Sequence, residues 1–177
     1  PALFPVLAIV DPELMLSVPP KFSAYQGFDA LFHSIEAYVS NGANLMSDMY
    51  ALTAIENVSL NLPKTIKNGN DIEARTKVAF GNTLSGSVMC VGRCNSEHSL
   101  EHAMSAYHQE LPHGAGLIMI SKAYFTHLIK QHVCDDRFIK MAKVMGMKNA
   151  TEPMDFIASG RLRRSRSQNV RLWYYPR

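Results

Sequence analysis

The sequence predicts an all-α fold, and three observations predict it. Apolar residues recur at helical spacing in one stretch after another. No alternating apolar–polar run survives beyond the proline-rich start, and no glycine-rich phosphate loop breaks the pattern. The chain has 177 residues, 47% of them hydrophobic, enough for one sizeable core.

Taken in order, PVLAIVDPELMLSVPP is a short apolar run broken by prolines and reads as an extended lead-in. Asp29 to Ser40 is the first predicted helix, closed near Asn41-Gly42. Leu45 to about Lys67 is the second, with Pro63 expected to kink it. Asp71 to about Met89 is the third, opened by Asp71 and an acidic first turn at Glu73. Ser96 to Tyr107, Gly114 to about Gln131 and Asp135 to Val144 complete the set.

Composition excludes several classes of function. No apolar run approaches the length of a membrane span, and no N-terminal signal pattern occurs, so no membrane partner is expected. The net charge of +3 is misleading. Arg161, Arg163, Arg164, Arg166, Arg171 and Arg177 all lie in a final stretch with no acidic residue. Without those six, 12 basic residues face 15 acidic ones, a net of −3. The body therefore has no basic surface for nucleic acid. Three cysteines (Cys90, Cys94 and Cys134) are too few and too odd for a disulfide framework, which favours a reduced, cytoplasmic setting. As small thiols they are expected to be buried.

The candidate chemistry lies in Asp29, His33, His98 and His113. Asp29 and His33 are four residues apart in YQGFDALFHSIEAYVS, so they project from one helix face. His98 and His102 repeat that spacing in NSEHSLEHAMSAY, and His113 follows in QELPHGAG. One carboxylate and several imidazoles brought together from separate helices suit Fe(II) or Zn(II). A single Asp-x-x-x-His on a helix is more often ordinary packing or surface. Two such pairs and a Pro-His-Gly turn argue for a metal. A rival zinc site, Cys90–Cys94–His98–His102, would need one continuous helix. Gly92 and the capping pair Asn95-Ser96 argue for a break there. His108, His127 and His132 fit exposed positions.

These segments resemble the iron-containing (group III) alcohol dehydrogenases, over roughly Pro1 to Ile157. DPELMLSVPP is similar to the lead-in of that family's C-terminal helical domain, and GFDALFHSIEAYVS to its first metal-binding helix. NGNDIEAR resembles the stretch before its next helix. HSLEHAMSAYHQELPHGAG is similar to its histidine signature, with one extra residue before Pro112 relative to many members. The combination is specific where each piece alone is not.

The resemblance implies a bundle-like helical domain of the dehydroquinate synthase-like superfamily, with Asp29, His33, His98 and His113 as metal ligands. It places His102 beside nicotinamide and substrate, as the catalytic residue that relays a hydroxyl proton, and Leu14 where some members touch the dinucleotide. The implied reaction moves a hydride between a primary alcohol or aldehyde and NAD or NADP, with Fe(II), Zn(II) or another divalent ion. It further implies a preceding α/β domain carrying the phosphate-binding loop, and a homodimer of the full-length protein. These residues alone are then expected to turn over little alcohol, and the alternative is a catalytically silent metal-binding helical fragment.

The expected domain limits are a helical metal-binding unit over 1–157 and a non-native tail over 158–177. ASGRLRRSRSQNVRLWYYPR has no helical period. Read one base later, its codons permit Lys-Met-Ser-Asp-Tyr-Gly-Ile-Thr-Pro, with Trp173 before Tyr174 forcing the glycine. That string resembles the family's own continuation, so the tail reads as a frameshifted product.

Overall fold

The computed structural model describes residue 3 and residues 5–160. Every regular element among them is helical, as the periodicity predicts. A short 3₁₀ turn, Pro12–Met15, precedes α1 (Pro20–Tyr38), α2 (Leu45–Lys67), α3 (Ile72–Val91), α4 (Ser96–Tyr107), α5 (His113–Lys130), α6 (Asp135–Val144) and α7 (Asp155–Ser159).

The lead-in is not wholly extended. Asp11 accepts a hydrogen bond from the Glu13 amide at 2.9 Å and caps the 3₁₀ turn, which packs on α3. The first helix also starts earlier than its sequence pattern suggests. Pro20 occupies its first turn, where the fixed proline φ is helical and no N–H is needed. From Gly27 onward α1 is enclosed on nearly all sides. Phe28, Leu31, Phe32, Ile35, Ala37 and Tyr38 are all buried, so no one-sided apolar stripe marks its limits.

Helices α1, α2 and α3 pack on one another as a three-helix centre. Helices α4 and α5 form a pair laid against α1, and α6 and α7 close the far side on α2 and α5. Phe125 of α5 is the junction: its ring meets Phe32 of α1 at 6.2 Å and Phe156 of α7 at 5.6 Å between centroids. Such aromatic packing explains why α7 forms although it has only five residues, too few to show a period. Ala158 and Ser159 belong to α7, and the Ser159 hydroxyl donates to the Phe156 carbonyl at 2.8 Å. The rest of the expected tail, 161–177, lies outside the described residues.

The junction between α3 and α4 decides between the two sequence readings of the cysteines. Helix α3 ends at Val91 with Gly92 as its cap, and Asn95 caps α4 through its side chain to the Ser96 amide at 3.0 Å. The continuous helix needed by the rival four-ligand site does not exist. The expectation of buried thiols is corrected too: Cys90 is exposed, while Cys94 and Cys134 are only half-buried. They sit at helix ends and linkers, Cys134 with one side against the core. No helix among the described residues is long and apolar enough to cross a membrane.

Candidate metal centre

Three elements converge on one carboxylate oxygen. Asp29 Oδ1 lies 3.6 Å from His33 Nε2, 3.3 Å from His98 Nε2 and 3.2 Å from His113 Nε2. A tetrahedral ion with bonds of about 2.0–2.1 Å separates its ligand atoms by about 3.3–3.4 Å. The His98 and His113 distances have about the length of tetrahedron edges, and donor atoms of Asp29, His98 and His113 all lie within 4.8 Å of one another, with His33 slightly farther from Asp29 at 3.6 Å. Asp29 and His33 come from the middle of α1, His98 from the first turn of α4 and His113 from the first residue of α5. The structure thus brings together all four residues singled out by spacing.

The other two candidates fall outside this group. His102 is exposed at the rim, its ring centroid 5.3 Å from that of His113 and 6.4 Å from that of His98. Leu14 is 77% exposed on the 3₁₀ turn that packs on α3. His108, His127 and His132 are exposed, as expected.

Three buried glutamates complete the centre, and the sequence reading passed over all of them. Glu36, fully buried on α1, reaches the start of α4. Its Oε1 accepts from the Glu97 amide at 2.6 Å and its Oε2 from the His98 amide at 3.3 Å. It thus caps α4 from a neighbouring helix, placing negative charge at a positive helix end. The same Oε2 contacts His98 Nδ1. Glu101 does the equivalent for His113: one carboxylate oxygen contacts His113 Nδ1, and the other accepts from Ser105 Oγ at 2.5 Å. Each carboxylate holds an N–H on Nδ1, so that Nε2 on the Asp29 side is the nitrogen free to ligate an ion once it gives up any proton, the usual arrangement behind metal-ligating histidines. The detectable signal was a charged residue in a position whose helical neighbours are all core, as at Glu36 within HSIEAY.

Glu97 is different. Both of its carboxyl oxygens are buried with no hydrogen-bond partner. Burial, with Glu36 nearby, pushes its carboxyl up to about 9, so it is neutral near pH 7.

Two glycines make this geometry possible. A Cβ on Gly114 would lie 2.2 Å from the Tyr25 carbonyl oxygen, so the helix bearing His113 can press on α1 only with glycine there. A Cβ on Gly116 would lie 2.5 Å from Glu101 Oε1. The PHGAG motif is explained by these two close approaches.

The charges set a pH dependence. Burial of the His98 ring opposes its charge, but hydrogen bonds to Asp29, Cys94 and Glu36 outweigh burial and lift the imidazolium to about 11. His33, lowered by burial and by His98, stays neutral. Burial raises Asp29, yet His98, His33 and His113 together hold it below the usual carboxylate value. In the ion-free fold the raised His98 contributes stability in full below the ordinary histidine value and loses it as pH rises through about 11. An ion must displace that proton, so apparent affinity is expected to fall as pH falls, about tenfold per unit for one proton displaced. Competition with a coloured chelator from about pH 6 to about pH 8 checks this, and an affinity flat across that range would refute it.

With three imidazoles facing one carboxylate, the fold presents an all-helical domain that carries a candidate metal centre. A family model described as "Fe-containing alcohol dehydrogenase family, C-terminal" matches residues 23–159, and the chain belongs to that family. It is 32% identical over 151 residues to the NAD-dependent methanol dehydrogenase of Bacillus methanolicus, covering 80% of this chain and 36% of that protein. It is 30% identical over 143 residues to the 1,3-propanediol dehydrogenase of Klebsiella pneumoniae, covering 80% and 36%. Among solved structures it superposes on the archaeal halo-thermophilic Red Sea brine pool alcohol dehydrogenase bound to NZQ. That match has a TM-score of 0.82 at 26% identity and covers 88% of this chain and 40% of the other. The iron-containing alcohol dehydrogenase from Thermococcus thioreducens matches with a TM-score of 0.79 at 28% identity, covering 90% and 40%. The chain therefore spans about two-fifths or less of the length of these relatives.

Proposed function

We propose that Asp29, His33, His98 and His113 hold one divalent cation, Fe(II) or Zn(II), and that this domain is the metal-bearing part of an alcohol dehydrogenase and aldehyde reductase. The substrate class is a primary alcohol or its aldehyde, with NAD or NADP as hydride carrier. The observation that carries the reading is the convergence of three Nε2 atoms on one Asp29 oxygen at 3.2–3.6 Å. The relatives support it, being named as dehydrogenases of methanol and 1,3-propanediol.

When bound, such an ion supplies Lewis-acid chemistry that favours the deprotonated alcohol and polarises an aldehyde carbonyl. The residues of this chain do the rest. Glu36 and Glu101 fix the tautomers of His98 and His113. Asp29 contributes the single negative charge facing the ion. His102, exposed at the rim beside His113, is placed to pass the hydroxyl proton outward to solvent.

Metal analysis tests this. His98→Ala and His113→Ala should each lose most of the bound ion, whereas His102→Ala should keep it. Full retention in both of the first two variants would remove the assignment.

A further inference from the structure

A set of sulfur donors lies on the opposite side of His33, and one of them, Cys94, also hydrogen-bonds to His98. Cys94 Sγ is 3.5 Å from His33 Nδ1 and 3.1 Å from Met89 Sδ. Donor atoms of His33, Cys94 and His98 all fall within 4.8 Å of one another. The other nitrogen of the same ring, His33 Nε2, faces Asp29 at 3.6 Å. The ring therefore separates an oxygen side from a sulfur side. The helix break creates this arrangement: Met89 sits in the last turn of α3, and Cys94 follows the Gly92 cap in the linker before α4. Cys90, on the helix proper, is exposed.

We propose that Cys94, Met89 and Nδ1 of His33 form a second cation site, selective for a thiophilic ion, whose occupation expels the ion held on the Asp29 side. Thiolate and thioether donors favour soft ions such as Cu(I), Cd(II) or Zn(II) over Fe(II) or Mn(II). Binding releases the thiol proton to solvent and involves no redox change. The antagonism, which rests on the metal reading of Asp29, follows from imidazole chemistry. A neutral ring has one lone pair and one N–H. If Nδ1 ligates the soft ion, the proton sits on Nε2 and points a donor at Asp29, so the first site loses a ligand. The domain would thus be sensitive to thiophilic metals through one shared histidine.

The test uses the full chain with Cd(II) alone as the probe, read by thiolate-to-cadmium ultraviolet absorption. The band should saturate at one ion per chain, persist in a Cys90→Ser/Cys134→Ser double variant and vanish in Cys94→Ser. Met89→Leu should weaken binding about tenfold, a factor in the range seen when groups supporting a metal site are lost. In a second arm, the chain is loaded with Mn(II) and its release followed by electron paramagnetic resonance. Cd(II) should release Mn(II) from the wild type and much less from Cys94→Ser. No band in the wild type, or a band surviving in Cys94→Ser, overturns the sulfur site. A band without Mn(II) release, or equal release in both proteins, overturns the antagonism. If Mn(II) does not bind at all, the Asp29 assignment is at fault, and the thiolate band still decides the Cys94 site.

Discussion

Gly114→Ala is expected to destabilise the domain by about 3 kcal/mol or more, the upper range for forcing extra atoms into a packed interior. The added methyl would lie 2.2 Å from the Tyr25 carbonyl oxygen and 2.7 Å from its carbonyl carbon. Both are backbone atoms of α1, so no side chain can rotate out of the way. The only relief is for α5 to move off α1, and that carries His113 away from Asp29. Urea unfolding and metal content should therefore fall together. Gly116→Ala separates the two effects, because its methyl would meet the Glu101 side chain rather than backbone. That variant should lose metal affinity more than stability. A Gly114→Ala protein within about 1 kcal/mol of wild type would show that α1 and α5 are not in the close contact described.

Glu36→Gln is expected to weaken metal binding 10- to 100-fold, the usual effect of removing the carboxylate behind a ligating histidine. The amide keeps one acceptor oxygen for the α4 amides but loses the charge that pairs with His98 and with the helix end. Glu36→Ala should add a stability loss, since the Glu97 and His98 amides then lack their acceptor inside the protein. Chelator competition on the glutamine variant and unfolding of the alanine variant read the two roles apart. Unchanged affinity in Glu36→Gln would mean that the His98 tautomer is held by something else.

Much of the centre was legible before the fold was known, because helical spacing is a geometric statement. Asp29 with His33, and His98 with His102, had to share faces, and Gly92 with Asn95 had to end and restart a helix. The periodic segments α2, α4, α5 and α6 were placed within a residue or so at each end for the same reason. What stayed hidden had no local signal. The start of α1, residues 20–26, is mostly exposed or half-buried and carries no apolar period of its own. Helix α7 is held by Phe156 against Phe125 and Phe138, contacts far apart in the chain. The supporting roles of Glu36 and Glu101 were the largest omission. A glutamate on a helix is ordinarily a solvated charge, and only the approach of α4 and α5 turns these two inward. Local spacing also gives no hint that Cys94 meets the back of His33.

The capping of α4 by a carboxylate from α1 spans 61 residues of chain, and the Asp29–His98 approach spans 69. No short peptide of this sequence reproduces the centre, and an unfolded chain offers an ion only scattered, competing donors. Any ion held there therefore acts by mass action on the folding equilibrium: at a hundred times its dissociation constant it adds about 2.7 kcal/mol. A chelator then behaves as a mild denaturant, and a melting temperature for this domain has meaning only alongside the free metal concentration at which it was recorded.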